Sequence, residues 1–186
     1  LKPFIDELEQ HRETINHLAS CNAVIEAAAK LLINALQQGG KILLCGNGGS
    51  AADCQHIAAE FVVRYEKKRR ALAAIALTTD SSILTAHAND FDFDTVFSRQ
   101  VEALGNSNDC LIAISTSGNS SNVLKAAIAA RAKGMTVIVL TGGTGGDLLE
   151  QATLAVIVPS NITARIQEAH ILIGHYWCGV VEETLC

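Results

Sequence analysis

Aromatic residues are scarce: they make up 4% of the 186-residue chain, against 49% hydrophobic residues in all. Packing therefore falls to Ala, Ile, Leu and Val, which suits an α/β or helical protein with buried parallel strands. There is no basic excess. Fourteen Lys and Arg against nineteen Asp and Glu leave a formal net charge of −5, which gives no footprint for nucleic acid. The one basic cluster, Lys67-Lys68-Arg69-Arg70, reads as a solvated loop. No CxxC pair occurs among the six cysteines at 21, 45, 54, 110, 178 and 186. They are expected to be reduced, mostly buried thiols of a cytoplasmic protein. No apolar run approaches about 18 residues, so no membrane span is expected. The longest run, Ala169 to Val181, is interrupted by two histidines and two glycines. Lys2, Asp6, Glu7, Glu9, Arg12 and Glu13 give the first twenty residues too many charges for a signal peptide.

Repeats, linkers and low-complexity stretches are also missing, which leaves one domain over 1–186. Two helices are expected to open it, at about 3–19 and 22–38, within an N-terminal helical part of about 1–38. Phe4, Ile5, Leu8, Ile15 and Leu18 roughly keep helical spacing, and "GG" at 39–40 ends the second helix. An α/β core of about 41–186 follows. Apolar strands at 41–45, 72–77, 109–114, 136–140 and 154–159 alternate with helices. These are expected at 50–64, 81–88 and 94–104, then at 119–133, 146–151 and 162–184. Such alternation implies a five-stranded parallel sheet covered on both faces. Ligands of such sheets bind beyond the carboxyl ends of the strands, where the strand order switches.

Two loops at those ends have phosphate-binding chemistry. In "ISTSGNS" (114–120) a strand hands over to a helix through Ser115, Thr116, Ser117, Gly118 and Ser120. A helix N-terminus offers free N–H groups and a positive dipole end, and hydroxyls add donors. Capping alone would need one such side chain. "CGNGGSAAD" (45–53) loosely fits a dinucleotide-binding glycine pattern, but the acidic residue expected about 20 positions later has no good candidate. No G-x-x-x-x-G-K-[ST] run is present for a nucleoside triphosphate. "TGGTGGD" (141–147) reads as a plain turn.

Titratable groups recur on two helices. Asp53, His56, Glu60 and Arg64 form one stripe by spacing. A His and Glu four apart could share a metal or a proton, or simply face solvent; the lack of HExxH argues against a zinc protease. The final apolar helix carries Gln167, His170 and His175. The two histidines lie about 140° apart around it, and spacing does not choose between them. Asn89 and Asp90 of "AND" could contact a sugar hydroxyl or cap the following helix.

Taken together, "CGNGGSAADCQHIAAE", "ANDF", "FSRQVEALG", "ISTSGNS" and "ARIQEAHILIGH" make the chain resemble the phosphoheptose isomerases of the sugar isomerase (SIS) fold over nearly its whole length. The resemblance implies a three-layer α/β fold, a homotetramer, and conversion of sedoheptulose 7-phosphate to D-glycero-D-manno-heptose 7-phosphate for heptose and lipopolysaccharide core precursors. Carried onto this chain, it implies phosphate binding by Ser115, Thr116, Ser117 and Ser120. Asn47, Gly48, Gly49 and Ser50 would line the substrate, with Asn89, Asp90 and Gln167 nearby and Arg64 reaching a phosphate, also across a subunit boundary. It further implies one zinc per subunit on His56, Glu60, Gln167 and His175, with Glu60 and His175 as the catalytic pair. Ala164 stands where some relatives have an acidic residue. The rival readings are a non-catalytic adaptor resembling the DnaA initiator-associating protein DiaA, and a sugar-phosphate sensor.

Overall fold

In the computed structural model, which describes residues 3–186, the aliphatic segments pair into one parallel sheet. Its strands are β1 (Ile42–Gly46), β2 (Ala74–Ala76), β3 (Cys110–Ile114), β4 (Thr136–Gly142) and β5 (Leu154–Val158), in the order β2-β1-β3-β4-β5. The helices are α1 (Phe4–Leu18), α2 (Asn22–Gln37), α3 (Gly49–Val62), α4 (Ser81–Asp90), α5 (Val96–Leu104), α6 (Ser121–Ala132) and α7 (Thr163–Leu185). Period-two alternation sends strand side chains to two cores. Ile42, Leu44, Ile112, Ile114, Ile138 and Val156 pack with Leu32 of α2, Ile57 and Phe61 of α3, and Trp177 of α7. Leu43, Leu111, Ala113, Val137 and Val139 pack on the other face with Val101 of α5 and Val123, Ala126 and Ala130 of α6. The three expected layers are thus present, with α1 and α2 as the additional N-terminal helices.

Several boundaries differ from the sequence expectation. The edge strand β2 is three residues long, because Leu72 turns its N–H away to the carbonyl of Phe61. Helix α3 ends at Val62, so Arg64 lies beyond it and leaves the expected stripe. Helix α4 runs on through Asn89 and Asp90. The cap of the next helical segment is instead Asp92, which accepts from Asp94 N–H at 2.8 Å. The basic cluster is not wholly solvated: the side chain of Arg69 is 2% exposed and paired at 2.8 Å with an equally buried Glu182.

Helices α1 and α2 run together through a 3₁₀ turn at Ala19–Cys21, so Phe4–Gln37 is long and apolar enough to cross a membrane by length and composition. The expectation of no such segment counted unbroken apolar runs and missed this continuity. Leu18, Ile25, Ala28, Ala29 and Leu32 of this rod are buried in the domain core, which makes it a core element here. All six cysteines are free; four are buried, Cys21 is half-buried and Cys186 is exposed.

Candidate active site

The strand order reverses between β1 and β3, so the loops that follow them open on either side of one crevice. Gly46 ends β1 opposite Ile114 of β3, and a Cβ at Gly46 would press within 2.9 Å of Ser50 Cβ. Gly48, at φ +55°, turns the chain into α3. Between them, Asn47 exchanges two hydrogen bonds with Asn122 in the first turn of α6, at 2.8 and 2.9 Å. Among the described residues, the loops expected to hold phosphate and to line the sugar are therefore bolted together.

The serine loop does more than cap a helix. Ser120, the N-cap of α6, makes no capping hydrogen bond with its side chain. Its hydroxyl instead lies 3.0 Å from that of buried Ser115, which also accepts from Gly118 N–H at 3.2 Å. Gly118 has φ +70°, and a Cβ there would collide with the carbonyl of Gly145. That contact belongs to the 141–147 segment, expected to be a plain turn. It is instead docked on the serine loop: Leu148 N–H reaches Gly118 O at 3.0 Å and Asp147 N–H reaches Asn119 Oδ1 at 3.0 Å. Thr116 and Ser117 line a cavity of about 270 Å³ together with Thr144 of that segment and Thr163 at the start of α7.

Farther along α3, the two titratable helices meet. His56 Nε2 lies 3.3 Å from Glu60 Oε1 and 3.3 Å from His175 Nε2 of α7. One ligand atom from each of the three residues falls within 4.8 Å of the others. Tetrahedral zinc with bonds of about 2.0–2.1 Å spaces its ligands by about 3.3–3.4 Å, so two imidazoles and a carboxylate in this arrangement fit such an ion. Gln167, the fourth expected ligand, rests its carboxamide against Gly49, two helical turns of α3 before His56. The opposing elements resolve the two histidines that spacing left open. His175 faces α3, whereas His170 is fully buried against β4 and its Nε2–H donates to Thr141 O at 3.2 Å.

Other groups take up defined places. Asp53, one turn before His56, has a buried Oδ2 without a hydrogen-bond partner; burial raises its carboxyl pKa, while the charges of His56 and His175 pull it down. The Tyr65 ring stacks on His175 at 5.6 Å. Asn89 and Asp90 are exposed and bonded to each other at 2.8 Å. Arg64 is exposed, donating to Glu66 O at 3.4 Å. Sequence reasoning missed Asn122 and Tyr65: each reads as an ordinary polar or aromatic residue until its distant partner is known.

The SIS domain model matches residues 4–142. A phosphoheptose isomerase of Thiobacillus denitrificans is 57% identical over 164 residues, covering 87% of this chain and 83% of the relative. One of Rhodospirillum rubrum is 54% identical over 169 residues, covering 91% and 90%. In three dimensions, the phosphoheptose isomerase GmhA of Neisseria gonorrhoeae superposes with a TM-score of 0.92 at 44% identity over 97% of both chains. The domain match stops before α7, but these relatives extend across it, and the chain belongs to the SIS-domain family, in its phosphoheptose isomerase branch.

Proposed function

We propose that the chain isomerises sedoheptulose 7-phosphate to D-glycero-D-manno-heptose 7-phosphate, as a cytoplasmic homotetramer that supplies heptose for lipopolysaccharide core precursors. The observation that carries this reading is the meeting of Glu60 and His175 from separate helices, in a chain whose serine loop is tied through Asn122 and Asn47 to the start of the helix that bears Glu60. The names of the relatives support a phosphorylated heptose; six free cysteines suit a reducing compartment.

The phosphate binds at Ser115, Thr116, Ser117 and Ser120, where the N-terminal N–H groups of α6 favour negative charge. Asn47, Gly48, Gly49, Ser50 and Gln167 line the sugar, with Asn89 and Asp90 nearby. Glu60 takes a proton from C1 of the ketose, giving an enediol, and the proton returns at C2. His175 moves the accompanying proton between the two oxygens. His56, Glu60 and His175 would hold the zinc, which as a Lewis acid would polarise the substrate oxygens, whereas Gln167 rests against Gly49, two helical turns of α3 away, and serves the sugar. Glu60 Oε1 faces His56, which leaves its second oxygen for the substrate.

Two measurements test this. Glu60→Gln is expected to lower turnover of sedoheptulose 7-phosphate by on the order of 10²–10⁴-fold while calorimetry still detects the bound sugar phosphate. Unchanged turnover refutes the base assignment. Chelation is expected to abolish activity and zinc to restore it; full activity in metal-free protein removes the ion from the reaction. Binding without turnover across a panel of ketose phosphates would favour the sensor reading, and binding to a replication initiator without turnover would favour the adaptor.

A further inference from the structure

We propose that Asn122 is a positioning residue of the sugar site: it holds the Asn47 carboxamide in place for the polyhydroxyl part of the substrate, and leaves the phosphate to the serine loop. This rests on the reading that Asn47 lines the substrate.

Asn122 is 4% exposed, and both of its side-chain hydrogen bonds go to Asn47, at 2.8 and 2.9 Å. Each carboxamide has two N–H donors and two acceptor lone pairs. The reciprocal pair consumes one of each on both residues. Asn47 therefore keeps one N–H and one lone pair, with its plane fixed, and it is half-buried where Asn122 is buried. A neutral group offering one donor and one acceptor suits a sugar hydroxyl, which both gives and takes a hydrogen bond. The pair also spans the switch point. Asn47 directly follows β1, and Asn122 sits two residues beyond the serine loop's Ser120. A side chain on α6 thereby sets the edge that the glycine loop presents, and the two halves of the crevice are held in register for a ligand touching both.

A four-protein cycle decides this: wild type, Asn47→Ala, Asn122→Ala and the double variant, each titrated calorimetrically with sedoheptulose 7-phosphate and with inorganic phosphate. Loss of one such hydrogen bond is expected to weaken sugar-phosphate binding roughly three- to tenfold in each single variant. The double variant should bind no more weakly than Asn47→Ala alone, and inorganic phosphate should bind all four proteins equally. The proposal falls if Asn122→Ala binds the sugar phosphate as wild type does, or if the two losses multiply. It also falls if inorganic phosphate weakens alongside in Asn122→Ala, which would place the effect in the serine loop. Wild-type affinity in Asn47→Ala overturns it at its first step, by removing Asn47 from the site. Because the readout is binding, a wild type that turns over no ketose phosphate would refute the proposed function and still leave the cycle readable. If Asn122→Ala does not fold, Asn122→Ser, which is too short to reach both Asn47 atoms, takes its place and is judged by the same outcomes.

Discussion

His170 shows how much a single residue's role depends on what stands opposite it. Its ring is wholly buried; Nε2–H is paired with Thr141 O, and Nδ1 has no hydrogen-bond partner. Burial pulls its pKa down to about 4, against the upward effect of the bond to Thr141 and a reference value of 6.5. Between those values the unfolded chain binds more protons than the folded one, so stability rises with pH through this window. The contribution is complete above about 6.5 and is lost as pH falls towards about 4. His170→Gln, which retains a donor for Thr141, is expected to flatten the fall in urea midpoint between neutral pH and pH 4. An unchanged slope would show that another group carries the acid sensitivity. No spacing rule could have predicted this, since His170 and His175 occupy the same apolar helix and differ only in their neighbours.

At the scale of elements, the segment after α3 shows why local sequence misleads. "KKRR" has the composition of a solvated loop, yet Arg69 finds Glu182 at a separation of 113 residues. Burial pushes the Glu182 carboxyl up, but N–H bonds from Lys67, Tyr65 and Glu66, together with Arg69, outweigh it and hold its pKa down to about 2. This clamp fastens the segment to α7 and delivers Tyr65 to the face of His175. Removing one partner strands the other charge in the interior. Glu182→Ala is therefore expected to cost about 3–5 kcal/mol in denaturant unfolding. Pairing it with Arg69→Met should recover much of that loss. A Glu182→Ala protein as stable as wild type would mean that neither the ion pair nor the N–H bonds to this carboxylate hold the loop. By contrast, the order and type of the main helices and strands were legible, with boundaries off by up to two residues at β2 and α3, because their signals are local: apolar period, glycine stops and strand-length aliphatic runs. The docking of 141–147 on the serine loop was not, because it depends on a backbone contact between Gly118 and Gly145.

On the scale of the whole molecule, Arg64 and the serine loop lie at opposite ends of α3. The serine loop is tied to the start of that helix through Asn47 and Asn122, and Arg64 lies just past its end. Fourteen helical residues separate the two by about 20 Å, far beyond the reach of an arginine side chain. If Arg64 contacts the substrate phosphate, it does so in a second copy of the chain. Leu172 and Tyr176, on either side of His175, are 47% and 40% exposed and offer apolar surface for such a copy near the site. The motifs revealed each half of this arrangement, but only the length of α3 sets the distance between them. Subunit complementation follows. Arg64→Ala and Ser117→Glu chains, the latter placing a negative charge in the phosphate loop, are each expected to be nearly inactive alone. Refolded together at equal ratio, random mixing pairs two intact halves in about a quarter of the sites, and activity should return to about that fraction. Mixed oligomers that form and remain inactive would place Arg64 and the serine loop of one chain in the same site, and an Arg64→Ala chain active on its own would put Arg64 outside it.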